Sequence, residues 1–131
     1  MSEDLWMVEA VIQPFKLDAV TLALEGTAAF RGMTVTDCRG FGHEKLTNMA
    51  EGALAGDKAA PILRHGDADV VDFTPKVKLE AVVWGRVAAD AVADTIVRVA
   101  RTGRRGDGKV FVWPLARAVR IRTLDEGAKA V

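Results

Sequence analysis

Apolar residues recur with two different periods over the first forty positions of the chain. Residues 5–12 (LWMVEAVI) form a mostly apolar, partly β-branched run that stops before Pro14, and this pattern predicts a strand. Apolar positions then repeat at helical spacing over residues 17–24 and end near Gly26, which predicts a helix. The β-branched run at residues 33–38 predicts a second strand.

The periodicity is lost between residues 43 and 70. This stretch is rich in alanine, glycine and charged residues, and it contains few β-branched side chains. Loops longer than about 12–15 residues in compact domains are usually functional or disordered. We therefore predict an extended mobile loop over residues 43–70, inside a single domain that spans residues 1–131.

The second half of the chain repeats the order of the first. Residues 77–83 alternate between apolar and charged side chains, as in a half-exposed strand, and residues 87–101 carry an apolar stripe at helical spacing. Two further runs, at residues 109–114 and 118–123, predict strands. The order β-α-β-loop-β-α-β-β is an α+β arrangement of the ferredoxin-like βαββαβ type with an additional C-terminal strand.

Composition narrows the class of protein. Half of the 131 residues are hydrophobic, too many for a disordered chain, yet no apolar run approaches the ~20 residues of a membrane helix. A single cysteine cannot form an internal disulfide, and no signal peptide is visible, so we expect a cytoplasmic protein. The 18 basic and 18 acidic residues give a net charge of zero, which disfavours nucleic acid as a partner.

The neutral total hides a strongly basic segment. Residues 101–122 hold seven Lys or Arg and one acidic residue, Asp107, so this segment carries +6 and the other 109 residues carry −6. On the predicted last strand, Arg120 and Arg122 lie on the same side, where guanidinium groups repel each other unless an anion separates them. Charge alone leaves two interpretations open, a phosphate clamp and a solvated basic face.

A glycine-rich turn follows the second predicted helix. Within GRRGDGK (residues 103–109), two glycines flank Asp107 and allow successive backbone N–H groups to converge on an anion, and Lys109 adds a positive charge. The spacing resembles the start of a Walker A loop, but Val110 occupies the position of the required Ser or Thr. The turn also runs from a helix into a strand, the reverse of a P-loop, so the chain is not a P-loop NTPase.

Other reactive side chains give weaker indications. Cys38 has no histidine partner in the pattern, so we interpret it as a structural strand residue rather than a nucleophile. His43 and His65 lie with several acidic residues in the long loop, but no tight Cys/His spacing exists, which favours a solvated loop over a metal site. The three tryptophans fit core or interface positions better than a platform for stacking bases.

Six segments of the sequence carry a more specific signal. They are QPFKLDAV (13–20), GMTVT (32–36), RGFG (39–42), VDFTPK (71–76), TGRRGDGKVFV (102–112) and RIRT (120–123). Together they resemble the nitrogen-regulatory PII signalling family, in that family's order and over nearly the whole chain outside the long loop. The resemblance implies a homotrimer of ferredoxin-like subunits that binds ATP, ADP or AMP in clefts between neighbours. It also implies a regulator rather than an enzyme, which acts on a target protein through a protruding loop, the T-loop.

The resemblance implies roles for individual residues as well. The nucleotide would contact Thr34, the backbone of Gly40, Phe41 and Gly42, and Val82 beside the adenine. The phosphates would be held by Gly106, Asp107, Gly108 and Lys109. Arg120 and Arg122 would reach them from one side of the subunit interface. Lys76 would contact either a phosphate or a carbon metabolite. Mg²⁺ would accompany ATP, and no other cofactor is expected.

The long loop departs from the family's pattern. The chain contains no Tyr, so the uridylylation that regulates many members is excluded. His43 and Glu44 stand where the family usually has Arg-Gln, and that glutamine helps to hold the magnesium that bridges ATP and 2-oxoglutarate. Glu44 could ligate a hard cation, but its charge would repel a dicarboxylate. We interpret His43, Glu44 and Lys76 as candidate effector or metal residues, with bicarbonate as the hypothetical effector, as in a variant associated with carboxysome gene clusters.

Three alternatives stay open. The chain could regulate nitrogen metabolism or a membrane transporter while sensing ATP, ADP and 2-oxoglutarate. It could be a slow ATP-hydrolysing enzyme, for which Glu44 is the only candidate base. It could also be a structural trimer with a vestigial site. The sequence does not identify the target protein.

Overall fold

Four strands and two helices make up the described part of the chain. A computed structural model describes residues 4–41 and 73–131. Its elements are β1 (Leu5–Ile12), α1 (Leu17–Glu25), β2 (Thr34–Gly40), β3 (Thr74–Trp84), α2 (Arg86–Ala100) and β4 (Gly108–Pro114), with short 3-10 helices at Pro14–Lys16 and Gly127–Ala130. These six elements agree with the predicted ones to within a few residues at each end.

Local chemistry explains the change from strand to helix after β1. Gln13 is extended, at φ −70° and ψ 138°, because a residue that precedes proline avoids the helical region. Pro14 cannot donate to a strand ladder but suits the first turn of a helix. Asp18 lies in the first turn of α1, where the helix dipole stabilises a carboxylate, and α1 ends before Gly26.

The strands form one sheet in the order β2-β3-β1-β4. β1 pairs antiparallel with both of its neighbours, so that Met7 lies opposite Val82 of β3 and Trp113 of β4. Each helix therefore connects two strands that are separated by a third, since β3 lies between β1 and β2, and β1 lies between β3 and β4. This is the ferredoxin-like topology, and the predicted α+β class is confirmed.

One face of the sheet packs against the helices. Its buried core includes Val8, Ala10 and Ile12 of β1, Val77, Leu79 and Val83 of β3, Val20 and Leu24 of α1, and Val92 and Ile96 of α2. The alternate residues of the strands lie on the opposite face, which is less well covered. There Phe111 is 46% exposed and Trp113 is 37% exposed.

The chain divides into two units, one made of Met1–Cys38 and Lys76–Val131 and a smaller one, Arg39–Pro75, of which the structure describes residues 39–41 and 73–75. Within this smaller unit, the rings of Phe41 and Phe73 meet edge to face, with centroids 4.9 Å apart and planes at 74°. The loop predicted over residues 43–70 lies outside the described residues, so its extent and the single-domain assignment stay predictions.

The additional C-terminal strand predicted over residues 118–123 is wrong. The structure has only an isolated antiparallel bridge between Val119 and Glu126, and residues 121–123 form a turn between them. The physical reason is local hydrogen bonding: the Arg120 N–H donates to the Asp125 carbonyl, and the Leu124 N–H donates to the Arg120 carbonyl, both at 2.8 Å. Because these backbone groups already have hydrogen-bond partners within the turn, they do not pair with a neighbouring strand, and no fifth strand forms.

Neither helix in the described ranges has the length and apolar character required to cross a membrane.

Candidate functional site

The glycine-rich turn connects α2 to β4. α2 ends at Ala100, and Arg101 leaves it in an extended conformation, at φ −69° and ψ 128°. Gly103 and Gly106 then adopt positive φ values of 85° and 89°, which side chains other than glycine's rarely tolerate. Residues 103–106 accordingly form a bend followed by a turn. This curvature directs several backbone N–H groups toward the inside of the turn.

One carboxylate organises the turn from within. Asp107 accepts hydrogen bonds from the Thr102 N–H and the Gly103 N–H, both at 2.8 Å, and from the Thr102 hydroxyl at 2.5 Å. The Thr102 hydroxyl oxygen in turn accepts a bond from the Arg104 N–H at 3.1 Å. The bonds from the Thr102 side chain and backbone and from the Gly103 backbone hold the pKa of the Asp107 carboxyl below its ordinary value, assisted by the Gln13 side chain.

Two side chains from the rest of the sheet reach the tip of this turn. Lys76, on β3, donates its ammonium Nζ–H to the Gly106 carbonyl at 2.5 Å. A methyl group placed on Gly106 would lie 3.4 Å from that Nζ and 3.8 Å from Nε2 of Gln13. Gln13, Lys76 and Gly106 are therefore close together. An ammonium has three donors, so Lys76 keeps donors for a ligand while it holds the loop.

Gly108 fixes where the turn joins the sheet. It has φ 103°, and a Cβ at this position would overlap the backbone carbonyl of Val11 on β1. In the β1–β4 pairing, Gly108 lies opposite Ile12, and Lys109 lies opposite Val11. The absence of a side chain at Gly108 lets the two strands approach closely, so the turn begins at a defined point of the sheet edge.

The two arginines of the RIRT segment lie on a hairpin, not on a strand. Its ends are joined by the bond from the Gly127 N–H to the Ala118 carbonyl at 3.1 Å. Arg120 and Arg122 are exposed, and in the part of the chain that the structure describes neither one makes a hydrogen bond or ion pair with the glycine-rich turn. The sequence predicted that these two arginines lie on the same side of a strand. Because the structure has no strand at residues 118–123, this prediction loses its basis. A phosphate-binding role for them stays a prediction.

The remaining predicted residues are spread along the sheet. Thr34 begins β2 and Gly40 ends it, while Val82 lies on β3 on the face opposite the helices. Phe41 belongs to the smaller unit and is 42% exposed. Gly42, His43 and Glu44 lie outside the described residues. Over 4–41 and 73–131, no group of three His, Cys, Asp or Glu side chains is placed to hold a metal.

Sequence reasoning missed two residues that shape the site. Gln13 and Thr102 were not among the predicted site residues, yet both contact the turn that carries Asp107. A threonine five positions before an aspartate, across two glycines, is a pattern of local side-chain-to-backbone bonding that could have indicated Thr102. Gln13 had no local signal, because its position beside Gly106 depends on the pairing of β1 with β4.

The chemistry of this arrangement suits a phosphorylated ligand. The backbone N–H groups of Thr102 and Gly103 are used by Asp107, so the groups of the turn that suit an anion are its lysines, Lys76 at the tip and Lys109 at the start of β4. The class defined by the fold and the turn is thus a ferredoxin-like α+β domain with a candidate phosphate-binding loop.

Comparison with known proteins gives the family. The family model described as "Nitrogen regulatory protein P-II" matches residues 5–125. The chain is 43% identical over 124 residues to the nitrogen regulatory protein P-II of Klebsiella oxytoca and to P-II 1 of Escherichia coli strain K12, covering 95% of this chain and 97% of each relative. The chain therefore belongs to the nitrogen regulatory protein P-II family, and the resemblance noted in the sequence is confirmed.

Two solved structures support the fold. The structure of Arabidopsis thaliana PII bound to citrate matches with a TM-score of 0.69 and 33% identity, over 98% of this chain and 94% of that one. The B. subtilis GlnK–ATP complex matches with a TM-score of 0.69 and 26% identity, over 98% of both chains. The first of these proteins was solved with citrate and the second with ATP, both of which are small anionic ligands.

Proposed function

We propose that this chain is a signal-transduction protein that binds ATP, ADP or AMP and regulates a target protein, without being an enzyme. In this proposal the phosphates bind at Gly106–Lys109 and at Lys76, with Thr34, Gly40–Gly42 and Val82 around the rest of the nucleotide. Arg120 and Arg122 are supplied from the adjacent subunit of a homotrimer. Mg²⁺ enters with ATP as part of the ligand. The matches to the P-II family and to an ATP complex of a related protein support this proposal.

The observation that carries the proposal is the state of Asp107. Its carboxylate is occupied by three donors of Thr102 and Gly103, so its charge is directed into the loop. The positive groups around it, including Lys76 at the Gly106 carbonyl and Lys109 on β4, therefore determine the field that a ligand meets. A loop that holds its one carboxylate in internal hydrogen bonds and has lysines around it is suited to a polyphosphate.

The surface of a single chain supports assembly into a trimer. Arg120 and Arg122 are not bonded to the turn of their own chain within the described residues, so a second subunit is the natural source of these groups for each site. Exposed apolar side chains also occur on the same unit, including Ile121 at 92% and Leu124 at 75%. Apolar groups left in water favour association with another protein surface.

Calorimetric titration with AMP, ADP and ATP tests nucleotide binding, and analytical ultracentrifugation of the same sample tests the trimer. We expect ATP and ADP to bind with three sites per trimer, and Gly108→Ala to weaken both because it displaces the loop from β1. Absence of heat and of any thermal shift with all three nucleotides would contradict the proposal and support a structural trimer with a vestigial site. Release of ADP from ATP during a long incubation, abolished by Glu44→Gln, would instead support the alternative of a slow ATP-hydrolysing enzyme.

The second effector in this proposal is bicarbonate, and the regulated target is contacted through residues 43–70. Glu44 stands in the sequence where the family usually has a glutamine, and in this proposal its negative charge disfavours a dicarboxylate more than a small monoanion. Nucleotide titrations repeated with bicarbonate and with 2-oxoglutarate test this. Bicarbonate should change the ADP or ATP affinity, whereas 2-oxoglutarate should do so only in the Glu44→Gln variant. The reverse order would favour a regulator of nitrogen metabolism or of a membrane transporter.

A further inference from the structure

The hairpin that carries Arg120 and Arg122 is fixed to the sheet at both of its ends. On the incoming side, the Leu115 N–H donates to the Leu5 carbonyl on β1 at 2.8 Å. On the outgoing side, the Trp84 indole Nε1–H donates to the Ala128 carbonyl at 3.1 Å. Trp84 is the last residue of β3, so neighbouring strands hold the two ends of the hairpin.

An ion pair closes the base of the same hairpin. Arg117 contacts a single carboxylate oxygen of Glu126, Oε1, through Nη2 at 2.7 Å and through Nε at 2.8 Å. Glu126 also forms the backbone bridge with Val119. The pair is exposed, at 76% and 57% for the two side chains, so its contribution to overall stability is small. A two-donor contact of this kind does fix the relative orientation of its two ends.

The Trp84 ring is itself held in place. The guanidinium carbon of Arg31, from the segment between α1 and β2, lies 3.9 Å from the centre of the ring. This distance is within the range of a cation–π contact. With one face covered by Arg31 and its N–H bonded to Ala128, the indole has little freedom to turn away from the C-terminal segment.

We propose that Glu126, Trp84 and Arg117 are positioning residues for nucleotide phosphate binding, because they hold the hairpin in the geometry that presents Arg120 and Arg122. The inference rests on the proposed nucleotide site. None of the three residues is assigned to contact the ligand. Their effect passes through the hairpin, whose backbone bonds at Arg120, Leu124 and Gly127 report its order.

Two variants test the inference, each with a matched control. Glu126→Gln removes the charge of the Arg117 pair, and Asp90→Asn is its control because it breaks a similar exposed pair, Arg86–Asp90, on α2. Trp84→Phe removes the N–H donor and keeps a ring. Its control is Trp6→Phe, at a second half-buried tryptophan with an arginine nearby, whose indole donates no hydrogen bond to the C-terminal segment within the described residues.

Three measurements apply to each variant: calorimetric affinity for ATP and for AMP, and hydrogen exchange of the hairpin amides. We expect Glu126→Gln and Trp84→Phe to raise the dissociation constant of ATP by about two- to fivefold, with a smaller change for AMP, which offers a single phosphate. Exchange at Arg120 and Leu124 should become faster in both. In an Arg120→Ala/Arg122→Ala background, Glu126→Gln should have no further effect on affinity, since the groups through which it acts are gone. The control variants should leave the affinities unchanged.

The outcomes separate the inference from the proposed function. If the wild type binds no nucleotide, the proposed function fails and the inference fails with it. If the wild type binds ATP but Glu126→Gln has wild-type affinity despite faster exchange of the hairpin, the inference alone is overturned. It is also overturned if the loss persists in the double-alanine background, or if ATP and AMP weaken equally. Should Trp84→Phe fold poorly, Glu126→Gln, an exposed polar substitution, still gives the answer.

Discussion

Replacing Gly108 with alanine probes the junction between the glycine-rich turn and the sheet. Two costs arise at this residue. Its φ of 103° belongs to a region that L side chains rarely adopt, and a non-glycine residue there costs about 1–2 kcal/mol. A Cβ would also overlap the carbonyl of Val11, a backbone atom that cannot rotate away.

The steric cost follows from the pairing of β1 and β4. Gly108 and Ile12 are the last pair of that ladder, so the overlap is relieved by separating the strands at this end. Each backbone hydrogen bond that is lost lowers the free energy of unfolding by about 0.5–1.5 kcal/mol, and we expect the separation to break one or two of them. Adding the backbone cost gives a destabilisation of about 1.5–5 kcal/mol, a large fraction of the ~5–15 kcal/mol that stabilises a typical domain.

Gly103→Ala is the matched control. Gly103 has a similar positive φ of 85°, but a Cβ there would meet no atom within 4 Å. The Gly103→Ala variant should therefore lose only about 1–2 kcal/mol of its free energy of unfolding. Alanine has less conformational freedom than glycine in the unfolded chain, and this affects both variants alike. Urea unfolding at one fixed protein concentration, followed by circular dichroism, gives both values. Equal destabilisation of the two variants would refute the steric argument at Gly108.

Three further predictions concern the loop and the hairpin. The folded-state pKa of Asp107 lies below 3.8, because the hydrogen bonds, that from the Thr102 side chain first, favour the ionised form. The stability that the ionised carboxylate contributes is thus complete above the unfolded-state pKa and is lost as the pH falls through the lower folded-state pKa. Urea midpoints of wild type and Asp107→Asn should therefore differ at neutral pH and converge in acid. Leu124 has φ 63° and is 75% exposed, so Leu124→Gly should raise the free energy of unfolding by about 0.5–1 kcal/mol in the same urea assay. The reason is that relief of the backbone cost in the folded state exceeds the entropy that glycine adds to the unfolded state. A lower free energy of unfolding would contradict this. Lys76→Met removes the charged hydrogen bond to Gly106 and should lower the calorimetric affinity for ATP about tenfold or more, and the affinity for AMP by less. Equal losses of affinity for the two nucleotides would count against a contact between Lys76 and the phosphates.

The helices and the sheet could be predicted from the sequence because their signals are local. The period of apolar residues in 5–12 and 17–24 corresponds directly to β1 and α1, and Pro14 and Gly26 mark their ends. The turn at residues 103–109 was also predicted, since glycines beside an aspartate have few other uses between a helix and a strand.

The C-terminal hairpin could not be predicted, because its signals point elsewhere. Residues 118–123 alternate as a strand does, but strand formation requires a partner, and Arg120 finds its own in Asp125. The reversal depends on Leu124 at a positive φ, a conformation for which leucine has no preference and which a sequence pattern does not reveal. The Lys76 contact with Gly106 was missed for a similar reason, since it spans thirty positions and depends on the strand order.

The contact between Phe41 and Phe73 has a consequence for how this protein can change over time. The two phenylalanines are separated by 31 positions of the sequence, residues 42–72, and their contact brings the two flanking ends of the chain together. Closing a flexible segment costs an entropy that grows only with the logarithm of its length, so a further dozen residues would add about 0.3 kcal/mol. Lengthening or shortening the sequence between Phe41 and Phe73 therefore changes the free energy of unfolding little, provided that the ring contact is kept.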